Sequence, residues 1–392
     1  MKPDCVVIGW RPSSLSGWGV YGLNLAVQLK ALGRNPILYL APHMLDVSPE
    51  IDEILKPVLQ RQVQLGELLD KIGFLEFDFP VLHALRNDFE PPLQQQSAVG
   101  TKNIGVIFFE DTEFSTEGLA RAEAYDLIVT GSSWNKEILE LRGLTNVTNV
   151  FQGIDDSIFY PRPKIDRYPD RFVIYSGGKL EYRKGQDVVI AAFREFHARH
   201  PEALLIFAWG NQWPGIMPTI ANSPFVKGAP EVTGDNNILI DEWLMENGVP
   251  EEAFINLGMP PNKDIPGHLA AADAAVFPNR CEPGTNLVAM EAMACGLPSI
   301  IAANTGQLDL IVQGNYYPLE QQSPVAAYPP YKGVEGWREP SVEETLDRLE
   351  EIYQNREEAI GRGKAAAIYM TNFTWSRQIS SLLGQIDGLF VS

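Results

Sequence analysis

A chain of 392 residues is too long for one ordinary hydrophobic core, so two domains are expected. With 45% apolar and 21% charged residues, the composition excludes a disordered or fibrous protein. A net charge of -19 argues against a broad grip on nucleic acid or anionic membrane, but leaves room for a small basic pocket.

The opening MKPDCVVIGW lacks the long apolar core of a signal peptide and reads as a first strand from Cys5. Ser13 to Gly22 (SSLSGWGVYG) then leads into a helix over Tyr21–Leu32, which Gly33 stops. Glycines such as Gly17 and Gly19 allow close backbone approach, and a helix start offers free N–H groups to an anion. The segment matches neither a dinucleotide fingerprint nor a P-loop, so it reads equally as a ligand loop or a plain tight turn. PILYLA from Pro36 is a second strand, and Leu45 to Leu75 is a long helical region. IGVIFF from Ile104 ends in Phe109-Glu110-Asp111-Thr112-Glu113, where Asp111 and Glu113 read by default as a solvated acidic loop. DLIVTG from Asp126 follows as another strand.

Tyr160 to Asp170 (YPRPKIDRYPD) has the texture of an interdomain linker and hinge. A second strand–helix series runs through RFVIYSGGK, ALLIFAWG, AFINLG, AAVFP and LPSIIAA. Such alternation predicts parallel α/β architecture: two doubly wound, Rossmann-like domains with a cleft between them. Pro318 to Pro340 is a proline- and aromatic-rich loop that either covers a ligand or packs between domains. No run of about eighteen apolar residues is present, so no transmembrane segment and a cytoplasmic location are expected. Cys5, Cys281 and Cys295 fit no metal-ligand spacing and read as reduced core residues, with no metal site expected.

Two segments of the second half carry chemistry. Gly177 to Asp187 (GGKLEYRKGQD) places Lys179, Arg183 and Lys184 on a glycine-rich strand exit, where they suit a diphosphate. A solvated charged loop is the bland alternative. Arg280 to Pro298 (RCEPGTNLVAMEAMACGLP) is a strand exit, a loop and a helix closed by Gly296. On that helix Leu287, Glu291 and Ala294 share one face, and a carboxylate in an apolar stripe needs a hydrogen-bond donor. A ligand hydroxyl would serve; backbone N–H groups are the alternative.

This second segment resembles the signature of retaining GT-B glycosyltransferases (glycosyltransferase group 1, family 4-like). Other pieces agree in the same order. Gly178-Lys179 with Lys184-Gly185 is similar to the family's donor-phosphate motif, with lysine where arginine is commoner. Gly131-Ser132-Ser133-Trp134, Gln152-Gly153-Ile154-Asp155 and Phe373-Thr374-Trp375 also resemble family segments. Two features depart from the pattern. Eight residues, rather than the usual seven, separate Glu282 from Glu291. Where many relatives have a histidine after the IGVIFF strand, this chain has the Glu110 segment.

The resemblance implies a GT-B architecture: an acceptor-side domain over 1–165, a nucleotide-sugar-binding domain over 166–371, and a terminal helix over 372–392 crossing back. It implies transfer of a sugar from a nucleotide-diphosphate sugar to an acceptor hydroxyl, with retention and without metal or other cofactor. Glu291 would bind the ribose hydroxyls and Glu282 the transferred sugar. Lys179 and Lys184, with Arg183 beside them, would neutralise the leaving diphosphate. Gly178, Gly284, Thr285, Asn286 and Leu287 would approach the phosphates, the last two through N–H groups at a helix start. Gly258 and Met259 would read the base, Gly17 and Gly19 would form the opposite wall, and Glu110 would lie near the sugar. The acceptor stays open among a glycan, a lipid-linked sugar, a small molecule and a protein. Rival readings are a non-catalytic glycosyltransferase-like partner, and a sugar phosphorylase or nucleotide-sugar epimerase on the same fold.

Overall fold

The computed structural model describes residues 2–93, 97–234 and 237–391. Two six-stranded parallel sheets form its frame. The first contains β1 (Cys5–Ile8), β2 (Asn35–Leu38), β3 (Val81–Leu85), β4 (Asn103–Ile107), β5 (Leu127–Thr130) and β6 (Val147–Asn149), in the order β2-β1-β3-β4-β5-β6. The second contains β7 (Phe172–Gly177), β8 (Ala203–Ala208), β9 (Phe254–Asn256), β10 (Ala274–Phe277), β11 (Ser299–Ala302) and β12 (Tyr317–Leu319), in the order β9-β8-β7-β10-β11-β12. Helices cover both faces, which is why the central strands read as continuous apolar runs. In each sheet the strand order reverses beside the first strand, between β1 and β3 and between β7 and β10. Crevices at such reversals, beyond the carboxyl ends of the strands, are where doubly wound folds take ligands.

Four helices matter to the site. α1 (Gly17–Ala31) starts after Ser16, whose hydroxyl accepts from Gly19 N at 3.2 Å. α2 (Gln186–Arg199) follows the lysine-bearing loop, and α3 (Leu287–Ala294) follows the glutamate-bearing loop. α4 (Trp375–Gly388) packs on the first sheet's core: Trp375 stacks on Tyr21 at 5.2 Å, and Ile379, Leu382, Leu383 and Ile386 are buried there. Asp387 at its end accepts two bonds from Arg34, at 2.8 and 2.9 Å. Ser392 of the expected terminal segment lies outside the described residues.

The chain therefore passes twice between the sheets, and the two crossings are bonded together. Ile154 N donates to Phe373 O at 2.8 Å and Trp375 N donates to Ile154 O at 3.0 Å. Gly153 permits this approach, because a Cβ there would lie 2.5 Å from Trp375 N. By contrast, 160–170, read from sequence as the hinge, lies along the second domain, with Ile165 N bonded to Ala270 O at 2.8 Å.

The loops leaving β7 and β10 are locked to one another by a buried ion network. Arg280 grips Asp187 with two bonds of 2.8 and 2.6 Å, and both side chains are fully buried. The same guanidinium donates to Tyr182 O at 2.6 Å, pairs with Glu339 at 3.0 Å, and lies 3.7 Å over the Tyr182 ring. Gly185, in a left-handed conformation (φ 75°), lets the first loop press on the second: a Cβ there would sit 2.1 Å from Pro278 O. Buried pairs are no net gain over apolar packing, but stripping one partner leaves the other charge stranded. Arg280→Met, which keeps the volume, should cost about 3–5 kcal/mol of stability. Urea unfolding measures it; a loss below about 1 kcal/mol would remove this network as the brace of the two loops.

Candidate active site

A cleft of about 750 Å³ lies between the two sheets at their strand-order reversals. Gly17, Glu110, Gly178, Lys179, Arg183, Lys184, Gly258, Met259, Glu282, Gly284, Asn286, Leu287 and Glu291 all line it. Residues named from separate stretches of sequence thus meet on one surface. Two expected residues stand behind the wall. Gly19 is buried, and its Cβ would fall 2.4 Å from Ser13 Cβ, so it serves the tight turn into α1. Thr285 is fully buried, with its hydroxyl 3.0 Å from Met290 Sδ.

The cationic loop is not a bare anion trap. Lys184 Nζ is 2.5 Å from Glu282 Oε1, and Lys179 Nζ is 3.3 Å from Glu181 Oε1. Arg183, only 2% exposed, binds Glu181 at 2.5 Å and Cys281 O at 2.7 Å, with Glu110 at 3.3 Å and Glu282 at 3.5 Å. Its guanidinium is therefore committed to ordering the loops rather than free for the diphosphate it was expected to help neutralise. Three cations face three carboxylates, so the cluster is locally neutral. Burial disfavours the Glu181 carboxylate, but Arg183, Lys179 and Lys184 together outweigh it and hold its pKa below the usual range. Burial lowers the Lys184 pKa, with Glu282 opposing the shift.

Glu282 reaches the cleft despite the longer spacing to Glu291. Its N–H donates to Thr305 Oγ1 at 2.8 Å, its carbonyl accepts from Gly306 N at 3.0 Å, and Asn279 Nδ2 donates to its carboxylate. Asn286 (φ 62°) takes the left-handed conformation at the N-cap of α3, and its side chain is fixed by Gln307 at 3.0 Å. Glu291 is nearly buried one turn further on. Burial pushes its carboxyl up to about 8, partly offset by a 2.7 Å bond from Asn262 Nδ2. Asn262 was not singled out from sequence; nothing local marks it, because its partner lies 29 residues away along the chain.

The acidic loop after β4 has a structural role that composition concealed. Asp111 accepts from the backbone N–H groups of Lys332 and Gly333 at 3.0 and 2.7 Å, and Thr112 N donates to Gly333 O at 3.0 Å. Trp337 Nε1 donates to Glu110 O at 3.1 Å. The proline- and aromatic-rich loop thus packs between the domains. Its Tyr328, Tyr331 and Trp337 form a small core with Tyr182 and Cys281, and it sets Glu110 beside Arg183.

Among the described residues, no group of three or more His, Cys, Asp or Glu side chains is placed to hold a metal ion, and no helix is long and apolar enough to cross a membrane. Residues 161–323 match the family described as glycosyl transferases group 1. A GDP-mannose-dependent alpha-(1-6)-phosphatidylinositol monomannoside mannosyltransferase of Mycolicibacterium smegmatis is 27% identical over 41% of this chain and 40% of its own. A glycogen synthase of Mycobacterium tuberculosis is 30% identical over 49% of this chain and 41% of its own. The chain thus spans about two fifths of the length of these curated relatives. Among solved structures, sucrose-phosphate synthase from Thermosynechococcus elongatus superposes with a TM-score of 0.66 at 15% identity, covering 98% of both chains. HepE from Anabaena, in complex with UDP and glucose, gives 0.65 at 13% identity, covering 98% of this chain and 100% of its own. Two parallel sheets facing one cleft and a full-length structural match give this chain the GT-B fold, and within it residues 161–323 match the glycosyl transferases of group 1.

Proposed function

We propose that this protein transfers a sugar from a nucleotide-diphosphate sugar to an acceptor hydroxyl, with retention of configuration and without a metal ion. The observation that carries the reading is the convergence of Lys179, Lys184, Glu282 and Glu291 on one wall of the cleft. The UDP bound in the structure of HepE, a protein of the same fold, supports a nucleotide sugar as donor. An intact pair of lysines and a reaching Glu282 favour this reading over a non-catalytic partner.

The chemistry follows from charge. Breaking the glycosidic bond leaves negative charge on the diphosphate, and Lys179 and Lys184 meet it in place of Glu181 and Glu282. Release from Lys184 frees Glu282 to accept from sugar hydroxyls. Preorganised cations of this kind supply much of the rate enhancement in many enzymes, and they do here what a divalent metal does elsewhere. N–H groups at the start of α3 add to the phosphate grip. Glu291 accepts from the ribose hydroxyls, and the backbone at Gly258 and Met259 lies against the base.

Two outcomes test this assignment. In a panel of nucleotide sugars assayed for nucleoside diphosphate release in EDTA, Lys184→Ala should lower turnover on the order of 100-fold. Near-normal turnover by a folded variant would defeat the role of Lys184. The second concerns pH. Accepting hydrogen bonds from two ribose hydroxyls favours a Glu291 carboxylate, whereas burial pushes that carboxyl up to about 8. Nucleotide binding near pH 7 should therefore release a proton, and affinity should rise as pH climbs toward that value. Calorimetry in buffers of different ionisation enthalpy reads the proton. The effect should vanish in Glu291→Gln, and equal proton release by wild type and variant would contradict it.

A further inference from the structure

The wall contributed by the first sheet differs in chemistry from the donor wall. Trp10, Trp18 and Phe108 line it, with Trp18 edge-on to Phe108 at 4.9 Å and to Trp10 at 5.3 Å. Aromatic faces of this kind take the C–H face of a sugar ring. Beside them, at the carboxyl end of β3, Arg86 also lines the cleft and is exposed. Among the described residues its guanidinium has no ion pair and no hydrogen bond, although its backbone is bonded to Glu90 O and Phe89 N at 3.0 Å each. The other cleft cations, Lys179, Arg183 and Lys184, are each held by carboxylates.

The turn bearing Arg86 is firmly built. Asp88 and Phe89 both have left-handed backbones, at φ 65° and 62°, which non-glycine residues adopt at a cost. Phe89 is fully buried, and Asp88 holds Ser115 N at 2.8 Å, Ser115 Oγ at 2.6 Å and Arg121 at 3.1 Å. Asn87 Nδ2 donates to Asp111 O at 3.0 Å, tying the turn to the loop that carries Glu110. A guanidinium with no partner among the described residues, on a fixed turn in a protein of charge -19, is a selective mark for an oxyanion.

From this geometry we infer that the acceptor is an acidic sugar, with its ring against Trp18 and Phe108 and its oxyanion substituent, a phosphate or a carboxylate, on Arg86. The inference rests on the transferase reading and names the acceptor class of that same cleft. Arg86 fixes the orientation in which an acceptor hydroxyl approaches the donor wall, and the fork of its guanidinium suits either oxyanion.

Calorimetric titration of glucose, fructose and myo-inositol, each beside its monophosphates, with glucuronate and inorganic phosphate, tests the inference with and without saturating nucleoside diphosphate. At least one acidic member should bind ten-fold or more tightly than its neutral parent. Arg86→Ala should abolish that difference, Arg86→Lys should keep part of it, and nucleotide affinity should stay unchanged in both. A phosphate-only preference names a sugar phosphate, and a glucuronate preference names a uronic acid. Equal binding of acidic and neutral members, binding of none, or a preference that survives Arg86→Ala overturns the inference. Loss of nucleotide affinity in Arg86→Ala also overturns it, by moving Arg86 to the donor. Failure of every nucleotide to bind, with the acidic preference intact, would instead strike the transferase reading alone.

Discussion

Everything at the cleft wall that carries Lys179, Lys184 and Glu282 depends on the exits of β7 and β10 being held face to face, and electrostatics does the holding. Arg280 and Asp187 form the dry end of that brace, and Arg183, bonded to Cys281 O and paired with Glu282, forms the end nearest the cleft. Desolvating so many charges is expensive, and apolar side chains would brace two loops at lower cost. The charged solution brings a different property. It leaves Lys179 and Lys184 each paired with a carboxylate, Glu181 and Glu282, so the lysines sit in the cleft wall without repelling one another. A cluster of bare cations would repel itself and recruit any passing anion.

A second constraint comes from the first domain. The loop around Asp111 receives the backbone of Lys332 and Gly333, and Glu110 reaches Arg183, so one segment touches both the interdomain strap and the ion cluster. Besides the bonded crossings at Ile154 and Thr374 and this strap, the cleft walls are linked by Ser132 Oγ, which donates to Pro283 O at 2.7 Å, by Ser133 N, which donates to Asp309 at 2.8 Å, and by Asn262 N, which donates to Ser14 O at 3.1 Å. Any motion of the walls must strain or release some of these links.

Sequence carried the frame well because its signals are local. Glycine-rich strand exits, the α3 stripe with Glu291, and the β-branched runs were all readable, and together they named many of the residues that line the cleft. What escaped depends on distant partners. β3 (VLHAL) hid because Pro80 precedes it and His83 interrupts its apolar run, and with it went Arg86. β6 and β12 are edge strands of three residues each, too short for a period to show. Three cations in six residues were visible, but not that Glu282 and Glu110 would come to meet Lys184 and Arg183. Asp111 looked like solvent-facing charge because its partners are backbone N–H groups more than two hundred residues away, which no composition reveals.

If this charge-balanced wall, with Glu291 beside it, holds a nucleoside diphosphate, binding of the nucleotide itself is the quantity to measure. Calorimetric and thermal-shift titration with UDP, GDP, ADP and their sugars in EDTA reads it without any knowledge of the acceptor. One nucleotide should bind selectively, and its affinity should fall at least ten-fold in both Glu291→Ala and Lys184→Ala. If none of these ligands binds a well-folded sample, with or without magnesium, or if both variants bind as the wild type does, the assignment of this wall is wrong.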